Sequence, residues 1–280
     1  MYENGGVCME KYLDKKEDFI YFLRYFAGYD YMPSQLVEPF LYQDVDSPEL
    51  KRLREELSLD KVSGTGSQWE RLLRLNHWLH ETITHDGSST FPHPLESLRI
   101  LQVCKDEGRG VNCRLLATVL NDLCLALGWK SRFVSCTPIG EDYKDNHVVT
   151  TVFIDEWSKW VFVDPTWDAY VKDSNGRVLN LDELRTAYIT GERLQVSEGI
   201  NWNGKPGDAD EYLAYMAKNT FRFAANARSE YGAESKSEIT QYWLHPIGYH
   251  PTNTVREKQF ENRLIRRIYI SDPVFFWGVN

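Results

Sequence analysis

Asn112-Cys113-Arg114-Leu115-Leu116-Ala117-Thr118-Val119-Leu120 decides how this 280-residue chain is read. Leu115, Leu116, Val119, Leu120, Leu123 and Leu127 recur at the three- and four-residue intervals of a helix with one apolar face, and Gly128 supplies the stop. Asn112 is a favoured N-cap type, so Cys113 falls in the first turn. Unpaired N–H groups and the helix dipole there stabilise a thiolate. The same amides can hold the charge that grows on a carbonyl oxygen under attack.

Two later segments supply partners for such a thiol. Residues 147–154 (HVVTTVFI) and 159–164 (KWVFVD) are rich in β-branched and aromatic side chains and flank Asp155-Glu156-Trp157-Ser158, so they predict one β-hairpin. An even-numbered loop makes paired positions sum to an odd number. His147 and Asp164 then share a face, directly opposite or offset by two; a three-residue loop would separate them. On that register Val149, Thr151, Phe153, Trp160 and Phe162 accompany them, and this face is expected to carry the Cys113 helix. Thiol, imidazole and carboxylate in this order are the parts of a cysteine nucleophile, its base and an orienting group. Asp164 precedes Pro165, and an Asp-Pro pair equally well initiates a turn.

The stretch from about Gln68 to Asp168 resembles the transglutaminase-like superfamily, which includes transglutaminases, peptide N-glycanases and cysteine proteases with a papain-like core. The resemblance is carried by a helix ending near Thr82-Ile83-Thr84-His85-Asp86, a short helical segment Pro94-Leu95-Glu96-Ser97-Leu98, and Gly-x-Gly-x-x-Cys before the leucine-rich helix. Leu127-Gly128-Trp129-Lys130-Ser131-Arg132-Phe133-Val134, the His147 strand and Trp160-Val161-Phe162-Val163-Asp164-Pro165-Thr166-Trp167 continue it. It implies Cys113 as nucleophile, His147 as base and Asp164 as third member. It also implies an α+β fold, with the nucleophile helix packed on an antiparallel β-sheet in a papain- and transglutaminase-like core. We expect a single domain, with a helical N-terminal extension (1–66), a catalytic core (67–170) and a mixed C-terminal elaboration (171–280).

Relatives commonly complete the oxyanion hole with an upstream Gln, Trp or Tyr. Trp78, His85 and His93 lie upstream here, but each reads equally as a core or loop residue and none is assigned a role. Cys104, Cys124 and Cys136 read as small buried apolar residues.

The expected activity is hydrolysis of an amide or acyl bond through a thioester, on a peptide, protein or glycopeptide substrate, since no feature marks a site that admits an amine and holds water off. One scaffold of this kind also supports transfer to an amine, or binding without chemistry, and both stay open. No cofactor and no metal is expected: Cys-x-x-Cys pairs, His-Glu-x-x-His and Asp-rich calcium loops are missing. Gly64-Thr65-Gly66-Ser67 lacks the lysine of a phosphate cradle and reads as a loop, with Ser67 and Glu70 forming a capping box. A net charge of −9 argues against general nucleic-acid binding. No run approaches the roughly 18 apolar residues of a membrane helix. Five cysteines without a framework, and a polar stretch 1–18 in place of a secretory signal, lead to the expectation of a cytoplasmic protein.

Further along, 17–27 and 47–57 predict helices, the first with Phe19, Phe22, Leu23 and Phe26 inward. Trp69, Leu72, Leu73, Asn76, Leu79 and Ile83 mark a helix packed beside that of Cys113. In the tail, 181–188 and 209–227 predict helices, while 239–249 and 267–277 predict strands that extend the sheet. The tail is expected to form one wall of a substrate cleft.

Overall fold

A computed structural model describes residues 10–32, 34, 36–140, 145–250, 254–260 and 263–279. Cys8 and the start of the chain, on which the expected lack of a secretory signal partly rests, lie outside the described residues. The principal helices are α1 (Lys16–Tyr25), α2 (Pro48–Glu56), α3 (Gln68–Thr82), α4 (Ser97–Glu107), α5 (Cys113–Ala126), α6 (Leu181–Thr190) and α7 (Ala209–Asn219). The strands of the main sheet are β1 (Ser131–Thr137), β2 (His147–Ile154), β3 (Lys159–Val163), β4 (Arg222–Asn226), β5 (Glu238–Leu244), β6 (Thr254–Phe260) and β7 (Arg263–Ile270).

The sheet runs β6-β7-β5-β4-β1-β2-β3, and the molecule is α+β. Neighbours are antiparallel except β5 and β7, which pair in parallel, so the sheet is mixed rather than purely antiparallel. The tail thus continues the sheet begun by the hairpin.

Local signals act as their chemistry dictates. Asn112 caps α5, its Oδ1 accepting the Leu115 N–H at 3.1 Å. Ser67 and Glu70 close a capping box at the start of α3. The four-residue loop pairs Ile154 with Lys159, and Thr150 with Val163, so partners sum to 313. His147 and Asp164 sum to 311 and therefore share a face, offset by two, as an even loop requires.

The Cys113 helix lies on the other face. Leu115, Leu116, Val119, Leu120 and Leu123 of α5 cluster with Val152, Ile154, Val161 and Val163 of the hairpin, together with Leu72, Leu75 and Leu79 of α3. The Thr150 hydroxyl, on the same face, donates to the Ala117 carbonyl at 3.0 Å. Val149 and Phe162, on the His147 face, pack instead with Tyr212 and Met216 of α7 and Leu181 and Leu184 of α6. The expected placement of α5 on the Val149 face is therefore wrong. β2 is buried almost throughout, and a strand apolar on both sides gives its period no means of choosing which helix covers which side.

The tail also departs from its predicted elements. The helix expected over 209–227 stops at Asn219, and Phe221 leads into β4, which pairs on both edges with β5 and β1. Two ladders of hydrogen bonds outweigh the helical preference of the alanines. The strand expected over 267–277 begins earlier, at Arg263, and ends at Ile270. Asp272 then caps a short helix, Pro273–Trp277, through the amides of Val274 and Phe275. The short helical segment expected at 94–98 is replaced by α4, which starts at Ser97. In α1 the buried side chains are Ile20 and Leu23, whereas Phe22 is exposed.

Candidate functional site

Cys113 opens α5 and remains partly exposed, with Val148 and Phe133 against it. His147 is the first residue of β2 and is buried. The thiol thus meets the imidazole at the end of the sheet, although the helix covers the face opposite to the one His147 occupies. Asp164 follows β3 and is 0 % exposed. Its Oδ2 lies 2.6 Å from His147 Nε2, which leaves Nδ1 for the thiol. The three predicted site residues are therefore brought together.

Both readings of Asp164 hold at once. Oδ1 accepts the Thr166 N–H at 2.9 Å and closes the Asp-Pro turn, while Oδ2 takes the imidazole and the Tyr212 hydroxyl, the latter at 3.0 Å. These partners fix the carboxylate, and the carboxylate fixes the ring. Tyr212 and Tyr215, three residues apart on α7, fall on one helix face. The Tyr215 ring packs on His147 with centroids 5.3 Å apart, and its hydroxyl donates to the Asn146 carbonyl at 3.2 Å. Neither tyrosine was singled out from the sequence, although the spacing was available there.

His85 joins the site from upstream. Residues 84–86 run alongside Val111: the Val111 N–H donates to Thr84 O at 3.1 Å and the Asp86 N–H to Val111 O at 2.8 Å. This places His85 beside the start of α5. Gly110 permits the approach, since a Cβ there would collide with the Thr84 carbonyl oxygen. The tail then locks the ring. Trp202 Nε1 lies 3.1 Å from His85 Nδ1, and Asn203 pairs with the His85 backbone through both its N–H (2.7 Å) and its carbonyl (2.9 Å). An indole only donates, so Nδ1 accepts and the ring proton sits on Nε2, which is left to face the thiol. His93 is exposed and Trp78 packs partly against the core.

The charges follow from these contacts. Burial opposes a thiolate at Cys113, but hydrogen bonds from His147 and His85 outweigh it and bring the pKa down to about 5. Burial likewise opposes the imidazolium of His147, yet the Asp164 carboxylate and Cys113 outweigh it and push the pKa up to about 10. Between these limits the pair stands as thiolate and imidazolium. Among the described residues no cluster of three or more His, Cys, Asp or Glu side chains is arranged to hold a metal ion, and no helix is long and apolar enough to cross a membrane.

One comparison with known proteins covers the segment that holds Cys113, His147 and Asp164. The sequence model of the transglutaminase-like superfamily matches residues 55–165. No curated protein matches the chain. Among solved structures, a proposed cysteine protease from Cytophaga hutchinsonii aligns at 15% identity with a TM-score of 0.34, over 68% of this chain and 60% of its own.

Proposed function

We propose that this chain, whose residues 55–165 form a transglutaminase-like core, is a cysteine hydrolase of amide or acyl bonds in a peptide, protein or glycopeptide substrate. The observation that carries the reading is a partly exposed thiol, lowered in pKa, beside an imidazole whose far nitrogen is held 2.6 Å from a buried carboxylate.

The Cys113 thiolate attacks the carbonyl carbon, and the carbonyl electron pair moves to oxygen. Two donors lie at hand for that oxyanion: the Cys113 amide, which has no acceptor within its own helix, and the His85 Nε2–H. The His147 imidazolium gives its proton to the leaving amine as the tetrahedral species collapses to a thioester. Water then attacks the thioester, His147 takes its proton, and the acid is released with the thiolate regenerated. Asp164 keeps the ring oriented and its charge supported throughout, while Tyr212 holds Asp164.

The test is to trap the acyl-enzyme. A peptide thioester or activated amide should add its acyl mass to the chain, with fragmentation locating it on Cys113, and the adduct should decay in water. A reactive substrate that leaves Cys113 unmodified while the protein is folded overturns the reading. Decay only on addition of a primary amine would replace hydrolysis by acyl transfer.

A further inference from the structure

Beyond the first turn of α5, the sheet face that carries this helix continues over the tail. Ser135 pairs with Ala224, Ala224 with Trp243, Gln241 with Arg267, and Ile265 with Lys258, and directly paired residues share a face. A cleft of about 240 Å³ opens there. Arg114 and Asn146 stand in its wall, and they are the chain neighbours of Cys113 and His147. Its volume lies below the roughly 300–1,000 Å³ of pockets for whole drug-sized ligands, so it suits one or two side chains of a longer substrate.

The cleft carries a charge opposite to that of the chain. Among its lining residues are four cations, Arg114, Lys258, Arg263 and Arg267, and one carboxylate, Glu234, in a protein of net charge −9. Glu234 is shared: Arg114 Nη1 lies 3.5 Å from Oε1 and Arg263 Nη1 lies 3.8 Å from Oε2. Arg267 is held by stacking, its guanidinium 4.7 Å from the Trp243 ring centre. Lys258 is exposed on the edge strand β6. Among the described residues, neither Arg267 nor Lys258 forms a salt bridge. Apolar walls from Leu115, Ile239 and Ile265 complete a site for an aliphatic stem with an anionic head.

We propose that this cleft receives an acidic side chain of a peptide substrate beside the bond attacked by Cys113, with Arg267 and Lys258 facing its carboxylate. This inference rests on the reading of Cys113 as nucleophile, and it makes the tail the part that selects the substrate.

The test uses the full chain carrying Cys113→Ala, immobilised, and two equimolar pools of amidated peptides with randomised flanks and a central Glu or Gln. Mass spectrometry of the retained peptides should show Glu enriched about tenfold at low salt, with the ratio falling in about 1 M salt. Lys258→Gln and Arg267→Gln should each reduce the ratio; the Lys258 site is exposed, so that variant keeps the test alive if the other fails to fold. Equal retention of Glu and Gln, retention of neither, or enrichment only of peptides with a free C-terminus overturns the proposal. The chain with Cys113 intact is then given both pools. Glu preference in binding without any cleavage overturns the nucleophile reading and leaves the cleft; cleavage without Glu preference overturns the cleft alone.

Discussion

Cys113 and Cys124 lie on the same helix, about three turns apart, and their surroundings send them in opposite directions. At the start of α5 two imidazoles and the first-turn amides surround a partly exposed sulfur, and the thiol pKa falls to about 5. Near its end, Cys124 is buried among leucines, and burial pushes the thiol well above its ordinary value. Asp122, two residues before it, obeys the same rule. Burial outweighs hydrogen bonds from Ser97 and Gly232, and its pKa rises to about 7. The lesson is that a helix sets only the spacing of its side chains, while the charge state of each comes from what the rest of the chain lays against it.

The largest expected effect separates the two thiols. Cys113→Ala should lower turnover by about 10⁴-fold or more and abolish the fast phase of iodoacetamide labelling at neutral pH, whereas Cys124→Ala should leave both intact; peptide mass mapping after brief alkylation decides. A fast phase that survives Cys113→Ala and maps to Cys124 would break the contrast.

Asp164→Asn comes next, at up to about 10⁴-fold in turnover. The profile against pH should be bell-shaped, rising as Cys113 ionises near pH 5 and falling as the His147 imidazolium is lost near pH 10. The carboxylate raises the imidazole pKa, so removing its charge moves the alkaline limb toward lower pH. An unmoved alkaline limb would show that Asp164 does not support the ring's charge.

Trp202→Phe should cost about tenfold, because it removes the donor that fixes the His85 tautomer while keeping an aromatic ring in place. Its signature is a lower kcat with an unmoved alkaline limb. Added to His85→Phe, the same substitution should cost nothing further, and a second full loss there would detach Trp202 from the imidazole.

The smallest effect on turnover belongs to the far end of the helix, where stability is the readout. A carboxyl whose folded pKa is raised binds more protons folded than unfolded, so Asp122 lowers stability progressively as pH rises from about 4 to 7. Asp122→Asn should therefore stabilise the protein by roughly 2–4 kcal/mol more at pH 8 than at pH 4, read from denaturant unfolding at the two pH values. The same change at both would assign the effect to packing.

Much of the site was legible because it depends on short-range rules. Asn112 ahead of a leucine-rich amphipathic stretch fixes where α5 begins, and an even loop fixes that His147 and Asp164 share a face, whatever the remainder does. The face chosen by α5 was not legible, because β2 is apolar on both sides. Nor was the role of His85, which depends on Gly110 letting two segments touch and on Trp202, 117 residues further on, holding the ring. The change from helix to strand around Phe221 is not legible either, since only two neighbouring strands make that extended backbone favourable.

By itself, then, the sequence determined the order of thiol, imidazole and carboxylate, the helix start under Cys113 and the parity of the hairpin, all of them consequences of local periodicity and capping. Tertiary structure alone decided which helix covers which face, which nitrogen of His85 carries the proton, and how cations from β6 and β7 gather beside Arg114. Those depend on contacts between residues distant in the chain, where packing and hydrogen-bond partners, rather than propensity, set the energy.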